Sequence, residues 1–325
     1  MTLTGTKVLI AGGCGFIGST LALRLVEVGA QVTLLDNLHS DYGGNLYNLE
    51  PIKDRVALHR VDLQDAVSVE GLVRDQQFIF NLAGQTSHLD SMVNPHADLA
   101  ANCAAQLTLL EACRTHAPEA KIVHASTRQL YGRPQYLPVN EAHPLVPVDI
   151  NGVHKLAGEQ YYLLYHKVYG TRATILRLTN TIGPRMRVKD ARQTFLGIWV
   201  SKVLRGEPIE VWGGEQLRDF TDVEDAVDAF LAAALRSEAD GEVYNLGGKG
   251  VVSLRALAEL LIQQAGQGEF VVKEYPPERS RIDIGDYYAD YSRIERALGW
   301  SPKRSLPETL ARTLEFYRHA LPHYL

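Results

Sequence analysis

Cysteine and net positive charge are both scarce in this sequence. Its 325 residues include three cysteines, Cys14, Cys103 and Cys113, and no two of them have the short spacing of a zinc site. An odd number of cysteines also argues against a complete disulfide framework. The 33 lysines and arginines are outnumbered by 38 aspartates and glutamates, for a formal net charge of −5. We therefore expect no metal site and no nucleic-acid partner, although a local basic pocket for a small anion is compatible with this balance.

Long apolar stretches are absent too. No uninterrupted run is long enough to span a bilayer, and the start of the sequence lacks the charged region, apolar stretch and cleavage site of a signal peptide. These absences predict a soluble, cytoplasmic protein without a membrane partner. The composition is otherwise ordinary for a globular protein, with 46% hydrophobic and 22% charged residues, and the length suggests about two domains.

Strand-like and helix-like segments alternate through the first half of the chain. Short β-branched and apolar runs predict strands at 7–11, 31–35, 55–59, 78–80, 121–124 and 172–176. Helical patterns occupy 16–28, 66–74, 97–115 and 152–168. Such alternation requires crossover connections, which predict an α/β fold with a doubly wound parallel sheet. Ligands of these sheets bind at the carboxyl ends of the strands.

The alternation becomes less regular after residue 183, where glycine, proline and charged residues interrupt shorter patterns. We therefore predict a first α/β domain over residues 1–183 and a smaller α/β domain over 184–325. Segments of about 218–246 are expected to return to the first domain. The smaller domain would cover the ligand edge of the sheet.

A glycine-rich turn follows the first predicted strand and opens the first helix, with glycines at Gly12, Gly15 and Gly18. Such glycines permit a tight turn and close backbone approach. The helix N-terminus then offers unpaired N–H groups and a positive dipole end to a pyrophosphate. The second strand runs into Asp36, 18 residues beyond Gly18. A carboxylate there accepts hydrogen bonds from ribose hydroxyls and repels a 2′-phosphate, which favours NAD over NADP.

Further motifs follow in order at 81–84, 126–127, 130–132, 177–180 and 218–220. Together with the glycine turn they resemble the extended short-chain dehydrogenase/reductases that act on nucleotide-sugars. The resemblance covers nearly the whole chain and implies a Rossmann-type NAD domain followed by a nucleotide-sugar domain. Asp62 and Leu63 suit the adenine edge of the cofactor or form a simple turn. The residues expected to bind NAD are Gly12, Gly15, Phe16, Ile17, Gly18, Asp36, Asn37, Asp62, Leu63, Leu82, Ala83, Gly84, Asn102 and Lys155.

The resemblance also implies a nucleotide-sugar substrate. Arg218 and Arg281 take the places of the family's diphosphate-binding arginines, and Asn180 takes that of its substrate-binding asparagine. A basic cluster that ends at Arg192 either clasps a diphosphate or lies in a solvated loop. We expect the substrate to contact Ser126, Arg128, Asn180, Arg192, Arg218 and Arg281.

The catalytic machinery of the resembling family is a Tyr-x-x-x-Lys pair on a helix with a nearby serine or threonine. There the lysine holds the nicotinamide ribose and lowers the pKa of the tyrosine, whose phenolate takes the proton of a sugar hydroxyl. Lys155 and Thr127 match this pattern, but the tyrosine position holds Asn151. An amide forms hydrogen bonds and cannot act as a base near neutral pH. We therefore assign catalytic roles to Thr127, Lys155 and His88, with Asn151 contributing only a hydrogen bond.

Three interpretations of the missing phenol remain open. In the first, His88, in the loop after the fourth strand, or a nearby tyrosine supplies the base. In the second, Thr127 works with an ordered water. In the third, the protein binds NAD and a nucleotide-sugar without turnover. His88 is accordingly either catalytic or a hydrogen-bonded loop histidine.

The two residues after Thr127 indicate which reaction of the family this chain catalyses. Family dehydratases carry Asp-Glu there and decarboxylases carry Glu at the second position, whereas this chain has Arg128 and Gln129. Without a carboxylate, elimination and decarboxylation lack their usual acid/base group. The resemblance therefore implies a 4-epimerase, with a dehydratase, decarboxylase, reductase or non-catalytic binding protein as alternatives. Arg128 itself pairs with a uronic acid carboxylate or forms a structural salt bridge.

The helices predicted at 97–115 and 152–168 carry apolar residues around much of their circumference. That is more apolar coverage than one buried face needs. In the resembling family these two helices pair across a twofold axis into a four-helix bundle, which implies a homodimer. An ordinary internal position of both helices is the competing explanation.

Overall fold

A seven-stranded parallel sheet forms the centre of the molecule. The computed structural model describes residues 3–39, 41–276 and 281–325. The strands in these ranges are β1 (Lys7–Ala11), β2 (Gln31–Leu35), β3 (Val56–His59), β4 (Phe78–Asn81), β5 (Lys121–Thr127), β6 (Ala173–Leu178), β7 (Asn180–Ile182), β8 (Ile209–Trp212), β9 (Leu217–Arg218), β10 (Phe220–Asp222), β11 (Val243–Asn245), β12 (Val252–Ser253) and β13 (Phe270–Lys273). The sheet order is β11-β6-β5-β4-β1-β2-β3, with parallel pairing throughout. The predicted α/β fold with a doubly wound parallel sheet is confirmed.

Helices connect the strands and cover the sheet. They are α1 (Phe16–Glu27), α2 (Ala66–Val73), α3 (His88–Val93), α4 (Pro95–Leu99), α5 (Ala105–His116), α6 (Ile150–Tyr169), α7 (Phe195–Leu204), α8 (Val223–Leu235), α9 (Leu254–Ala265), α10 (Ser292–Leu298) and α11 (Leu306–Ala320). Short 3₁₀ segments occur at Leu46–Arg55, Arg128–Tyr131, Ser237–Ala239 and Leu321–His323. Within the described ranges, no helix combines the length and apolarity needed to cross a membrane.

The single helix predicted over 97–115 is wrong in its first part. Asn94 caps α4 with its side chain, and a π-helical segment, Ala100–Ala104, separates α4 from α5. A π turn adds one residue to the helix and so changes which side chains face inward. Asn102, in this segment, is buried. Gly158 of α6 lets the two helices approach closely, because a Cβ there would lie 2.7 Å from the backbone oxygen of Asn102.

Apolar side chains cover both faces of the sheet. On one face, Leu25 of α1 and Phe230 of α8 belong to the core beneath the sheet. On the other face, Val69 of α2 and Leu109 of α5 pack against it. Strands β4 and β6 are buried along their whole length, as expected for a parallel sheet with helices on both sides.

A separate apolar core lies among α7, α9, α11 and β8. It includes the fully buried side chains of Leu257, Leu261, Leu310 and Leu314. Strand β11 pairs with β6 at the edge of the large sheet, so residues 243–245 of the segment expected to return do join that sheet. The domain boundary at residue 183 stays a prediction.

A buried ion pair fastens α6 to the sheet. Arg177 of β6 donates from Nε to Oε2 of Glu159 on α6 at 3.0 Å, and a second, shorter hydrogen bond joins Nη2 to Oε1. Ser126 of β5 donates to the same carboxylate at 2.8 Å, and the guanidinium also donates to the Tyr131 hydroxyl at 2.7 Å. Each oxygen of the carboxylate is therefore satisfied, which is what makes a buried charge tolerable.

Candidate active site

A cavity of about 420 Å³ opens along the carboxyl ends of β1, β2, β4 and β5. It extends from Gly12 and Asp36 past Lys155 to Asn180 and Thr194, at the edge where a parallel sheet binds its ligand. The residues predicted to bind NAD that line it are Gly12, Gly15, Phe16, Ile17, Gly18, Asp36, Asn37, Asp62, Leu63, Leu82, Ala83, Gly84 and Lys155. The structure thus brings together nearly the whole predicted set.

The turn from β1 into α1 is packed too tightly for side chains. Gly12 has a φ of +79°, and a Cβ there would lie 2.9 Å from the backbone oxygen of Leu82. A Cβ on Gly18 would lie 2.1 Å from the backbone oxygen of Gly12. No side chain caps α1 at Gly15, so its first N–H groups remain available to an anion at the cavity wall.

Asp36 presents a carboxylate at the end of β2. Its Oδ2 accepts from the backbone N–H of Cys14 at 2.9 Å and its Oδ1 accepts from that of Leu38 at 2.8 Å. Burial raises the pKa of this carboxyl more than the two backbone hydrogen bonds lower it. Nearby, Asn37 donates to Asp62 at 2.8 Å. The glycine turn and this oriented carboxylate fit the pyrophosphate and ribose of a dinucleotide.

Lys155 lies farther along the cavity on α6. Its Nζ donates to Oδ1 of Asn102 at 3.1 Å. Burial lowers the pKa of Lys155, while the nearby carboxylate of Asp98 opposes that shift. Gly84 leaves room for this pair, because a Cβ there would lie 2.7 Å from the Asn102 oxygen and 3.2 Å from the lysine nitrogen. Asn102 therefore acts on the cavity through Lys155.

The amide of Asn151 is held in a buried network. Its Nδ2 lies 3.0 Å from the backbone oxygen and 2.9 Å from Oε1 of Gln85, and 2.9 Å from Oδ2 of Asp98. Asp98 is itself buried and 2.7 Å from Nδ1 of His154. The two hydrogens on Nδ2 of Asn151 are already shared among three acceptors. Only the carbonyl oxygen of this amide is therefore left to bind a ligand. The hydrogen bond expected from this residue can be made only as an acceptor.

His88 faces the cavity beside the first turn of α6. Its Nδ1 is buried 2.9 Å from Oδ2 of Asp149, at ion-pair distance without the alignment of a hydrogen bond, and the side chain remains 41% exposed. Asp149 caps α6 by accepting from the Gly152 N–H at 2.6 Å, and it accepts from Gln129 at 2.8 Å. Burial raises the pKa of Asp149, but His88 and these donors bring it below its usual value.

Thr127, Arg128 and Asn180, the residues expected to contact the sugar or its nucleotide, also line the cavity. Thr127 Oγ1 accepts from the Gln129 N–H at 3.2 Å, which leaves its own hydrogen free to donate. Arg128 donates to Oδ1 of Asn180 at 3.2 Å. Ser126 also lines the cavity, but its hydroxyl hydrogen is used by Glu159.

Three predicted substrate-binding arginines do not line this cavity. Arg192 lies at 2.8 Å from Asp90 and 2.9 Å from Asp41. Arg218 is buried and donates to the backbone oxygens of Leu217 and Gly285. Arg281 is exposed. Their contact with a diphosphate stays a prediction.

Sequence reasoning missed Gln85, Asp98 and Asp149. Asp149 could have been recognised as a helix N-cap three residues before Gly152. Gln85 and Asp98 carry no local pattern, because they meet Asn151 only through the tertiary fold.

A model of the NAD dependent epimerase/dehydratase family matches residues 8–247. The chain belongs to this family. It is 32% identical over 317 residues to the UDP-glucose 4-epimerase of Mycolicibacterium smegmatis, covering 96% of this chain and 99% of that protein. It is also 31% identical over 323 residues to a dTDP-glucose 4,6-dehydratase of Actinoplanes, covering 96% and 98%. Epimerases and dehydratases are thus similar to it at nearly equal identity.

Solved structures of the family have the same fold. A UDP-glucose 4-epimerase from Thermotoga maritima, with UDP-glucose, superposes with a TM-score of 0.89 at 31% identity, covering 97% of this chain and 100% of that one. The resemblance drawn from the motifs is confirmed. NAD is the cofactor of this family member. Its binding by the glycine turn and Asp36 stays a prediction.

Replacing Asp36 by asparagine tests the predicted preference for NAD. The substitution removes the charge that repels a 2′-phosphate, so we expect the ratio of the NADP and NAD dissociation constants to fall about tenfold, or roughly 1.4 kcal/mol. Calorimetric titration of protein freed of bound nucleotide measures both constants. Asp65→Asn, which alters a helix cap outside the cavity, is the matched control. An unchanged ratio in Asp36→Asn would show that Asp36 does not face the ribose.

Proposed function

We propose that this chain is a nucleotide-sugar 4-epimerase. It oxidises the sugar at C4 and returns hydride to the opposite face of the keto-sugar. The proposal is supported by one continuous cavity, in which the dinucleotide site leads directly to Thr127 and Lys155. A sugar held at that end lies against both the cofactor and a hydrogen-bond donor.

The chain's own residues have separable roles in this reaction. NAD, when bound, accepts the hydride and later gives it back. Lys155, fixed by Asn102, orients the nicotinamide ribose with its ammonium group. Thr127 donates its free hydroxyl hydrogen to the C4 oxygen. Both interactions leave the sugar free to turn between the two hydride transfers.

Epimerisation is favoured over elimination by the residues after Thr127. Gln129 donates its amide to Asp149 at 2.8 Å, and Arg128 is cationic. Neither side chain exchanges a proton near neutral pH. Removing water or carbon dioxide from the sugar would need a carboxyl group at this place, by the resemblance drawn from the sequence.

A panel of UDP- and dTDP-linked hexoses and uronic acids tests the reaction. We expect interconversion of C4 epimers with no change in mass, because oxidation and reduction cancel. Chromatography with mass detection separates the epimers from products that have lost water or carbon dioxide. Either loss as the main product would replace epimerase by dehydratase or decarboxylase. Tight binding without any product would mean that the protein is a non-catalytic binder.

We further propose that His88 is the proton acceptor. His88 and Tyr42 both line the cavity. Burial and nearby carboxylates, Asp98 first among them, raise the pKa of Tyr42, which disfavours its phenolate as a base. Asp149, next to Nδ1, favours the tautomer with hydrogen on that nitrogen. Nε2 is then the base, and the proton of the C4 hydroxyl passes to it as the hydride leaves.

His88→Asn removes this base and should lower kcat about 10²–10⁴-fold, while NAD content and melting temperature remain those of the parent. Asp149→Asn retains a helix cap but loses the charge, so a smaller loss of kcat is expected. Asn151→Tyr should not raise turnover, because the amide site is occupied by Gln85 and Asp98. The exposed histidine on α4 supplies the control, His96→Asn. Full activity of His88→Asn, or a sharp gain in Asn151→Tyr, would contradict the assignment.

The protein is also proposed to form a homodimer through the helices of 97–115 and 152–168. Apolar side chains on them remain 44–58% exposed, at Leu99, Val153, Leu164 and Val168. Burying these side chains against a second copy would remove them from water.

Leu164→Glu should convert the dimer into a monomer, because the buried carboxylate would find no partner. Light scattering coupled to size exclusion measures the mass. Val67→Glu, at an 82% exposed position on α2, introduces the same charge elsewhere and should leave the dimer intact. A parent protein that is monomeric at micromolar concentration would rule out this interface.

A further inference from the structure

Arg128 is a half-buried cation in the wall of the cavity. It follows β5 directly and lines the cavity wall. Its Nη2 donates to the neutral amide oxygen of Asn180 at 3.2 Å, and the guanidinium carbon lies 5.4 Å from the centre of the Tyr287 ring. Its Nε is buried and has no hydrogen-bond partner in the described part of the chain.

The carboxylates of Asp219 and Asp283 partly compensate the charge of Arg128. Asp219 Oδ2 accepts from the backbone N–H groups of Gly248 and Ala289, both at 3.2 Å, while its Oδ1 is buried without a hydrogen-bond partner in the described residues. Asp283 lies 3.5 Å from Arg218. Within residues 3–39, 41–276 and 281–325, no carboxylate forms an ion pair with Arg128. The structural salt bridge that the sequence left open is therefore not found there.

Electrostatics keep Arg128 charged in spite of its burial. Burial and the neighbouring Arg218 lower the pKa of Arg128 to about 10, while Tyr287, Asp219 and Asp283 raise it. A pKa near 10 still leaves the guanidinium protonated at neutral pH. Asp219 and Asp283 compensate this charge without reaching ion-pair distance, so an anion that contacts the guanidinium directly would be stabilised.

A second donor at the same place lacks a partner. Asn180 uses Oδ1 to accept from Arg128, and its Nδ2 is buried without a hydrogen-bond partner in the described residues. Both residues line the cavity. Two unsatisfied donors, one of them cationic, call for an acceptor with negative charge.

We infer that Arg128 and Asn180 form a subsite for a carboxylate carried by the sugar, so that the substrate is a nucleotide-linked uronic acid. This inference rests on the proposed function, which puts the C4 oxygen at Thr127. In a uronic acid the carboxylate is attached to C5, one carbon from the reacting centre, and Arg128 is the residue next to Thr127. The nucleotide diphosphate offers the same anionic chemistry, and the experiment separates the two sources.

Binding is measured by calorimetry on the NAD-loaded protein with three probes: UDP-glucuronic acid, UDP-glucose and UDP, and with their thymidine counterparts. We expect the parent to bind the uronic acid at least tenfold more tightly than the neutral hexose. Arg128→Gln should weaken uronic acid binding about 10- to 100-fold, as for a lost hydrogen bond to a charged group. It should leave the hexose and the free diphosphate unchanged.

Two further variants make the outcome decisive. Arg128→Lys keeps the charge and should keep part of the preference, and Arg205→Gln, at an exposed position just after α7 and outside the cavity, should change nothing. Equal weakening of all three probes in Arg128→Gln would assign the guanidinium to the diphosphate and overturn the inference. Epimerisation of neutral hexoses without a preference for uronic acids would also overturn it, while the proposed epimerase activity stood. If no nucleotide bound at all, both the carboxylate subsite and the proposed epimerase function would be contradicted.

Discussion

The buried ion pair between Glu159 and Arg177 fixes helix α6, which carries Lys155 and Asn151, to the central sheet. It joins α6 to β6, and Ser126 extends it to β5, so the helix cannot shift without leaving a charge uncompensated. Losing one partner of such a pair costs about 3–5 kcal/mol. Lys155 lies one helical turn before Glu159 on α6, and Asp149 caps the same helix. The position of Lys155, and of the carboxylate that faces His88, is therefore set by this contact.

The two halves of the cavity differ in how they are built. Around Gly12 and Asp36, backbone groups and one oriented carboxylate line the cavity. Around Thr127 and Lys155, side chains from several separate elements converge, and Asn151 donates to Asp98 and Gln85. Asn151 donates from Nδ2 to both of these side chains, so its amide satisfies the acceptors that meet at this position.

Local patterns predicted the parts of the fold that depend on neighbouring residues. The glycine turn, the strand leading to Asp36 and the alternation of strands and helices were all evident in the sequence, because each depends on spacing within a short segment. Membership of the family followed from the order of the motifs. The π-helical segment at 100–104 was missed; it lies where Gly158, on a helix distant in sequence, allows close approach.

The network around Asn151 could not have been predicted in the same way. Asn151 is 66 residues from Gln85 and 53 from Asp98 in sequence, and no periodicity connects them. The tertiary fold also decides which polar atoms stay unsatisfied. The sequence offered two partners for Arg128, a ligand or a structural salt bridge, and only the tertiary structure shows that Asp219 and Asp283 stay beyond ion-pair distance from it in the described residues.

The π segment of residues 100–104 has a consequence for how this helix could diverge among related chains. One additional residue rotates everything before it by about 100° relative to everything after it. The upstream turn can therefore present Asp98 to α6 while α5 keeps Leu109 and Ala112 on the sheet. Substitutions in α4 can therefore change the polar groups that face α6, while the apolar residues of α5 keep their packing on the sheet.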